Sequence, residues 1–317
     1  MPVKIPNHLP VRETLEKENI FVMDEDRALH QDIRPIRICI LNLMPLKEQT
    51  ELQILRELSN TPLQIDVTFM KTSTHESTHT SKSHLDTFYE TFEELRARRF
   101  DGMIITGAPV ELKEFEEIDY WEELEQIFSW CNTHVTSTIY LCWGAQAAMY
   151  YYYGLPKRLL PGGKKLFGIY ENTVYNRKTP LVRGFDDVFL MPHSRYTEVA
   201  VDDIVNCGEL TILAKSEEAG VSICMAQNGR KIFVFGHPEY GRMQLRNEYE
   251  RDRKKGLDTA IPEHYFPDDD PGKRPLLTWR AAANNLYTNW LNYYVYQSTP
   301  FNLDGTPWGE ELPDNYK

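Results

Sequence analysis

The chain has 317 residues, of which 41% are hydrophobic and 26% are charged, a composition typical of a soluble globular protein. Its formal charge of −12 disfavours a nucleic-acid partner, because a polyanion is bound through a basic surface. No stretch approaches the run of apolar residues that a membrane helix or a signal peptide needs, so we expect a cytoplasmic protein without membrane association.

In the first half of the chain, short β-branched segments alternate with helical patterns. The predicted order is a strand at 36–41, a helix at 48–58, a strand at 64–70, a helix at 88–98, a strand at 102–106, a helix at 120–131, a strand at 138–141 and a helix at 145–153. This alternation predicts an α/β fold with a mostly parallel sheet and flanking helices.

The second half has shorter predicted strands at 166–170, 187–191, 209–214, 220–226 and 230–235. A charged helix at 242–256, a loop rich in proline and aspartate at 262–275 and an aromatic helix at 279–297 follow. We therefore expect one α/β domain over 35–297, an N-terminal arm over 1–34 and a C-terminal tail over 298–317. The arms and the aromatic stripe at 290–296 fit a homodimer, although core packing is the commoner use of such a stripe.

One of the five cysteines lies where a strand meets a helix. The five are widely spaced, odd in number and without a Cys-x-x-Cys pair, which argues against a disulfide framework or a zinc knuckle. The segment Leu141-Cys142-Trp143-Gly144 predicts a nucleophile elbow, in which a sharp turn exposes the thiol above the sheet edge. A helix N-terminus there favours a thiolate and offers N–H groups to an oxyanion. An isolated cysteine is more often a small buried hydrophobe, but this position favours a nucleophile.

A candidate general base follows the predicted strand at 230–235. His237-Pro238-Glu239 lies at the carboxyl end of that strand, where open α/β sheets place their sites. A histidine held by a carboxylate two residues later can take a proton from a thiol or hydroxyl and return it. A lone histidine at a strand end is usually structural, and the conjunction with Cys142 favours catalysis.

A zinc-protease pattern occurs at His75-Glu76-Ser77-Thr78-His79. That site needs a helix, but the flanking residues are rich in hydroxyl groups, form no apolar face and supply no evident third ligand. We therefore expect a loop here and no metal site.

Seven blocks carry a family resemblance: Leu41-Asn42-Leu43-Met44-Pro45, Thr106-Gly107-Ala108-Pro109-Val110, Cys142-Trp143, Gly184-Phe185-Asp186-Asp187, Pro192-His193-Ser194-Arg195-Tyr196, Gly236-His237-Pro238-Glu239-Tyr240 and Thr288-Asn289-Trp290-Leu291-Asn292-Tyr293-Tyr294-Val295-Tyr296. Over nearly its whole length the chain resembles the homoserine O-acyltransferases of methionine biosynthesis. The resemblance implies a flavodoxin-like core similar to class I glutamine amidotransferases. It also implies a ping-pong reaction in which an acyl-CoA acylates Cys142 and the homoserine hydroxyl then attacks, with His237 as base and Glu239 orienting it.

The resemblance further implies three substrate-binding residues, Lys165, Ser194 and Arg251, and no cofactor beyond the acyl-CoA co-substrate. Arg251 can clamp a carboxylate, Ser194 can donate or accept a hydrogen bond, and Lys165 supplies positive charge. Viewed alone, Arg251 belongs to a charged helix face that could simply be solvated. The glycines of the preceding loop leave Lys164 as an alternative to Lys165.

Glu111 indicates the acyl donor. In the family that the chain resembles, a glycine directly after the Thr106–Val110 block looks like the members that use succinyl-CoA. A glutamate at that position looks like the members that use acetyl-CoA. Two like charges about 4 Å apart repel by about 4 kcal/mol at an effective dielectric of about 20, which would disfavour the succinyl carboxylate. We therefore expect acetyl-CoA and homoserine as substrates, with succinyl-CoA as the alternative donor. The alternative is a purely structural role, in which Glu111 caps a helix at the start of a run of acidic residues.

Two other functions fit parts of this pattern. A glutamine amidotransferase would use the same Cys142, His237 and Glu239, but those enzymes usually carry glycine where this chain has Tyr140, and the sequence shows no synthetase domain to receive ammonia. A binding module without catalysis could use the same fold. Replacing Cys142 would abolish activity in an enzyme and spare it in a binding module.

Overall fold

The strands of the protein form one large sheet and one small one. The computed structural model describes residues 3–18, 22–23, 34–74 and 80–299. Within these ranges, the twelve strands of the large sheet are β1 Val3–Lys4, β2 Val22–Met23, β3 Ile36–Leu41, β4 Ile65–Lys71, β5 Tyr89–Thr91, β6 Phe100–Ile105, β7 Val135–Leu141, β9 Leu166–Val174, β10 Val188–Arg195, β12 Thr211–Ser216, β13 Gly220–Ala226 and β14 Lys231–Val234. The small antiparallel sheet pairs β8 Lys157–Leu159 with β11 Thr197–Val199.

The centre of the large sheet is parallel. Its strands lie in the order β4-β3-β6-β7-β14. Numbered along the chain, this is the flavodoxin-like order 2-1-3-4-5, in which ligands bind beyond the carboxyl ends of the strands. Leu141 pairs with Val234, so the segments that follow β7 and β14 leave the same sheet edge side by side. The predicted α/β fold is confirmed.

Beyond β14 the sheet continues with antiparallel pairings in the order β13-β12-β9-β10. After four reversals of direction, β10 runs the same way as β14. The end of β10, which carries Ser194 and Arg195, therefore lies at the same sheet edge as the ends of the parallel strands.

Helices cover both faces of the sheet. They are α1 Arg12–Lys17, α2 Lys47–Leu58, α3 Lys82–Phe88, α4 Phe92–Leu95, α5 Trp121–His134, α6 Trp143–Tyr153, α7 Val201–Asn206, α8 Gln244–Lys254 and α9 Arg280–Asn289, which continues as a π-helix over Trp290–Tyr296. Alternate residues of β3 enter different cores, because successive side chains of a strand point to opposite faces. Ile38 and Ile40 pack with α2 and α9, and Cys39 and Leu41 pack with α5 and α6.

The helix predicted over 88–98 is wrong in its first part. Tyr89–Thr91 is instead a strand that pairs in parallel with the end of β4, and the helix begins only at Phe92. Thr91 and Glu94 form a capping box that starts this short helix. Pairing with β4 therefore outweighs the helical pattern of the segment. Several further elements were not predicted, namely β1, β2, β8, β11, α1, α3 and α7.

The aromatic segment at the chain's end is part of the core. Trp290 and Tyr294 are buried, and a Cβ atom added to Gly102 would lie 2.8 Å from the Trp290 ring. Gly229, at a φ of 85°, makes the corresponding close approach to Tyr294. The aromatic stripe therefore packs against other residues of the same chain. The expected homodimer stays a prediction.

The first residues of the expected N-terminal arm add to the sheet. β1 pairs in parallel with β4, while Leu9 and Leu15 are buried in the core. Residues 75–79, which carry the zinc-protease pattern, and most of the expected C-terminal tail lie outside the described residues. Of the helices that the structure describes, none combines the length and apolar character needed to cross a membrane. The cytoplasmic location stays a prediction.

Candidate active site

Cys142 occupies a sharp turn between β7 and α6. Its φ of 49° and ψ of −114° lie in a region that residues other than glycine rarely adopt. The turn is held by the backbone N–H of Cys142, which donates to the Val234 carbonyl at 2.7 Å. Strained backbone of this kind is characteristic of functional turns. The side chain lines a cavity although it is only 6% exposed, as the predicted elbow requires.

Two glycines allow the close packing around this turn. A Cβ atom at Gly144 would lie 2.6 Å from the Thr106 carbonyl oxygen, so only glycine lets α6 begin so close to the end of β6. A Cβ atom at Gly107 would lie 3.3 Å from the Cys142 Cβ and 3.7 Å from the His237 Cε1. Gly107 therefore lies directly against both candidate catalytic side chains.

His237 is held between a carboxylate and the thiol. Its Nδ1 lies 2.8 Å from the Glu239 Oε1, and Cys142 is near enough to raise the pKa of the imidazole. Because Nδ1 engages Glu239, Nε2 is left for the thiol. The ring also stacks on Tyr240 with centroids 4.1 Å apart, and the backbone N–H of His237 donates to the Pro192 carbonyl at 2.8 Å. The imidazole is thus fixed on both sides.

The charges around His237 favour its protonated form. Burial alone would lower the pKa of His237, but the neighbouring Cys142 and Glu239 raise that pKa well above its usual value. An imidazole that keeps its proton can pair with a thiolate, which is the nucleophilic form of cysteine. The three side chains can therefore perform nucleophilic catalysis with proton transfer.

A cavity of about 390 Å³ opens above these residues. Six of the seven side chains singled out from the sequence line it: Cys142, His237, Glu111, Lys165, Ser194 and Arg251. Glu239 lies behind His237 and is 5% exposed. The predicted residues are thus brought together around a space of the size that holds a small ligand.

Glu248, a buried carboxylate that was not predicted from the sequence, holds other side chains in the wall of this cavity. Glu248 accepts a hydrogen bond from the Ser194 hydroxyl at 2.6 Å and lies 3.6 Å from the Lys165 ammonium, which is also 3.5 Å from Asp252. Burial would raise the pKa of Glu248, but Lys165, Ser194 and Gln244 hold it below its usual value. Gln244, Glu248 and Asp252 are spaced four residues apart, so they lie on one face of α8. This spacing could have indicated a polar helix face at the site.

The structure distinguishes the two neighbouring lysines. Lys165 lines the cavity, and its ammonium lies 4.1 Å from the Phe167 ring centroid, whereas Lys164 is exposed on the preceding loop. Arg251 lies at the rim of the cavity with a side chain that is 48% exposed. Its Nε and Nη2 already donate to the Asp252 Oδ1 at 2.8 and 2.7 Å.

Glu111 does not cap a helix. Its carboxylate accepts a hydrogen bond from the backbone N–H of Tyr196 at 2.9 Å, while Glu114 forms the capping box of the short 3₁₀ turn Phe115–Glu117. Burial raises the pKa of Glu111, and it outweighs this hydrogen bond and the nearby charges of Lys165 and Arg195. The side chain is a fixed part of the cavity wall.

One group of possible metal ligands occurs elsewhere among the described residues. Ligand atoms of Glu218, Glu263 and His264 lie within 4.8 Å of one another, but all three residues are exposed. None of them lines the active-site cavity.

A family model described as homoserine O-succinyltransferase matches residues 2–301 of this chain. The chain belongs to the homoserine O-succinyltransferase family. The predicted family resemblance is therefore confirmed, and the family's members are acyltransferases, as expected for this chain.

Curated relatives cover almost the whole chain. A homoserine O-acetyltransferase from Agathobacter rectalis is 65% identical over 301 residues, which are 95% of this chain and 96% of that protein. The protein of the same name from Lachnoclostridium phytofermentans is 62% identical over 303 residues, or 96% of this chain and 100% of that protein. The corresponding protein from Geobacillus kaustophilus is 58% identical over 301 residues, or 95% of this chain and 99% of that protein.

A solved structure supports the fold of this homoserine O-succinyltransferase family member. A glutamine amidotransferase from Thermotoga maritima superposes with a TM-score of 0.55 at 12% identity, covering 83% of this chain and 100% of that one. The expected likeness to glutamine amidotransferases is confirmed at the level of the fold.

Proposed function

We propose that this protein is a homoserine O-acetyltransferase that carries the acetyl group as a thioester on Cys142. The observation that carries the proposal is that Cys142 and His237 line one cavity, with Glu239 behind His237 and 2.8 Å from its Nδ1. The relatives named homoserine O-acetyltransferase support the choice of substrates. The reaction would be the first committed step of methionine biosynthesis.

In the first half-reaction, the Cys142 thiolate attacks the carbonyl carbon of acetyl-CoA. A tetrahedral oxyanion forms beside the start of α6, where the first N–H groups of a helix have no intrahelical acceptor. When the C–S bond to CoA breaks, the CoA sulfur takes a proton from the His237 imidazolium. The products are free CoA, an acetyl thioester on Cys142 and a neutral imidazole.

In the second half-reaction, the homoserine hydroxyl attacks the thioester. Neutral His237 accepts the hydroxyl proton as the C–O bond forms, and Glu239 stabilises the resulting imidazolium. Breaking the C–S bond restores the Cys142 thiolate beside protonated His237. His237 therefore acts as a general acid in the first half-reaction and as a general base in the second. After both, the site is back in its starting state.

The charged wall of the cavity suits the amino-acid end of homoserine. Glu248 and Asp252 can accept hydrogen bonds from the substrate ammonium, and Ser194, which donates to Glu248, lines the cavity beside them. Arg251 and Lys165 supply positive charge for the substrate carboxylate. Lys165 and Arg251 now form ion pairs with Asp252. When homoserine binds, they would contact its carboxylate as well.

Glu111 favours acetyl-CoA over the alternative donor, succinyl-CoA. Its anchored side chain fills the cavity wall where the distal end of a longer acyl group would lie. Acetyl has neither the length nor the charge to conflict with it. The family model bears the succinyltransferase name, so succinyl-CoA is the donor against which this proposal is tested.

The direct test is intact-protein mass spectrometry after brief incubation with each donor and no homoserine. We expect acetyl-CoA to add one acetyl group that maps to Cys142, and homoserine to discharge it as O-acetylhomoserine. Cys142→Ala should take up no acetyl group and retain a cooperative unfolding transition. Labelling with succinyl-CoA alone would support the alternative donor, and glutamate release from glutamine would support an amidotransferase.

A further inference from the structure

A second cavity lies beside the active-site cavity at the end of α8. It has a volume of about 450 Å³ and is lined by Asn247, Glu250, Arg251, Lys254 and Lys255. Arg251 lines both cavities, so the two spaces meet at one side chain. The two cavities are therefore adjacent along α8.

The second cavity is basic in an acidic protein. Three cationic side chains face one carboxylate there, although the whole chain has a formal charge of −12. Lys254 and Lys255 are exposed, and no carboxylate within the described ranges forms an ion pair with either ammonium. Local positive charge of this kind raises the concentration of anionic ligands near a cleft.

Exposed leucines lie at the mouth of the active-site cavity. Leu112 is 66% exposed and Leu257 is 51% exposed, and both line that cavity. Leu257 follows Lys255 by two residues, so the apolar mouth lies close to the basic cavity. Exposed apolar side chains at a cavity mouth offer contact surface to the uncharged part of a ligand.

These three features occur in the order of the parts of an acyl-CoA. A thioester would lie at Cys142, an uncharged arm of methylene and amide groups at the leucines, and a phosphorylated nucleotide at the cations. Along α8, Glu248 of the active-site cavity and Lys254 of the basic cavity are separated by a rise of about 9 Å. One helix thus contributes side chains to both cavities.

We propose that Lys254 and Lys255 bind the phosphates of the CoA nucleotide. This inference rests on the proposed function, because it assigns a site to the donor of that reaction. Basic residues in a last helical turn also complement the helix dipole, which would give them a purely structural role. The two roles differ in what they predict for donors with and without the nucleotide.

The experiment compares acetyl-CoA with S-acetylpantetheine, which keeps the thioester and the arm but lacks the nucleotide. In Lys254→Glu and Lys255→Glu variants, we expect the KM for acetyl-CoA to rise about tenfold or more with little change in kcat. The KM for S-acetylpantetheine and the KM for homoserine should stay as in the wild type. Adenosine 3′,5′-bisphosphate should inhibit the wild type more strongly than either variant.

Arg253→Glu is the matched control. Arg253 lies in the same turn and carries the same charge, but it lines neither cavity and lies 6.0 Å from the Tyr249 ring centroid. We expect Arg253→Glu to leave the KM for acetyl-CoA close to that of the wild type. Thermal unfolding of each variant separates loss of binding from loss of fold. If a glutamate variant does not fold, Lys254→Ala or Lys255→Ala replaces it.

The outcomes distinguish this inference from the proposed function. An unchanged KM for acetyl-CoA, an equal rise for both donors, or an equal rise in Arg253→Glu would overturn the nucleotide site while leaving acetyl transfer intact. A wild-type protein that transfers acetyl from neither donor would overturn the proposed function and this inference together.

Discussion

The carboxylate of Glu111 accepts a hydrogen bond from the backbone N–H of Tyr196 at 2.9 Å. This contact joins the loop after β6 to Tyr196, which follows β10 directly and lies two residues after Ser194, and it fixes the carboxylate in the cavity wall. In the proposed reaction, the acyl group of the donor would lie against a side chain that this hydrogen bond holds in place. We therefore expect size and charge at this position to affect which donor is used.

Glu111→Gly should raise the kcat/KM for succinyl-CoA relative to that for acetyl-CoA by about tenfold or more, since it removes both the volume and the charge. Glu111→Gln keeps the volume without the charge. We expect Glu111→Gln, which removes the charge alone, to shift the preference less than Glu111→Gly, which removes both. An unchanged preference in both variants would remove Glu111 as the selector.

Glu239→Gln should lower the kcat/KM for acetyl transfer by about 10²- to 10⁴-fold, because the imidazolium loses its charged partner. Glu239 helps to raise the pKa of His237, so the variant should lose the His237 proton at a lower pH than the wild type. The protonated form exists below this pKa and is lost as the pH rises through it. Alkylation of Cys142 by iodoacetamide, followed by peptide mass spectrometry across pH, measures the change; superimposable profiles would contradict it.

Glu248→Gln should raise the KM for homoserine by about ten- to a hundredfold, because a charge-assisted hydrogen bond to the substrate ammonium is weakened. Acetylation of Cys142 in the absence of homoserine should proceed as in the wild type. Stopped-flow measurement of each half-reaction separates the two effects. Glu122→Gln, an exposed change on α5, is the control, and a slowed first half-reaction in Glu248→Gln would assign Glu248 a different role.

Gly144→Ala should lower the free energy of unfolding by about 1–3 kcal/mol, because the new Cβ would lie 2.6 Å from the Thr106 carbonyl oxygen and force α6 away from β6. The shift should also lower acetyl transfer, since Cys142 precedes this helix. Gly208→Ala is the matched control, because a Cβ there meets nothing within 4 Å. Urea unfolding monitored by circular dichroism measures both, and equal stabilities would contradict the packing argument.

Glu57 should give the protein a stability that falls as the pH rises. Burial raises its pKa to about 8, although Arg280 forms an ion pair with it and lowers that pKa. The folded protein then keeps a proton on Glu57 that the unfolded chain, with a pKa of about 4.3, has lost. Between these values stability falls with increasing pH, because the folded state binds more protons.

The measurement is the Tm of wild type and Glu57→Gln at about pH 6 and about pH 9. We expect the fall in Tm over this interval to be smaller in the variant, whose amide does not titrate. Parallel falls in the two proteins would show that Glu57 is not the source of the pH dependence.

Several features of the site could be predicted because their causes are local. A strand that runs into Cys142-Trp143-Gly144 predicts the elbow, since only a small residue after the turn allows close packing. His237 and Glu239 are two residues apart, so their contact depends on one turn of chain. The first part of the helix predicted over 88–98 was wrong because the pairing of Tyr89–Thr91 with β4 involves residues distant in sequence.

The sequence by itself determined the alternation of strands and helices, the position of Cys142 at the end of a strand and the pairing of His237 with Glu239. These follow from hydrophobic periodicity and short-range spacing. Only the tertiary structure decided that Lys165 rather than Lys164 lines the cavity, that Glu248 holds Ser194, and that Glu111 is fixed by Tyr196. Each of these contacts joins residues more than fifty positions apart, so it depends on strand order and sheet register, which no local pattern encodes.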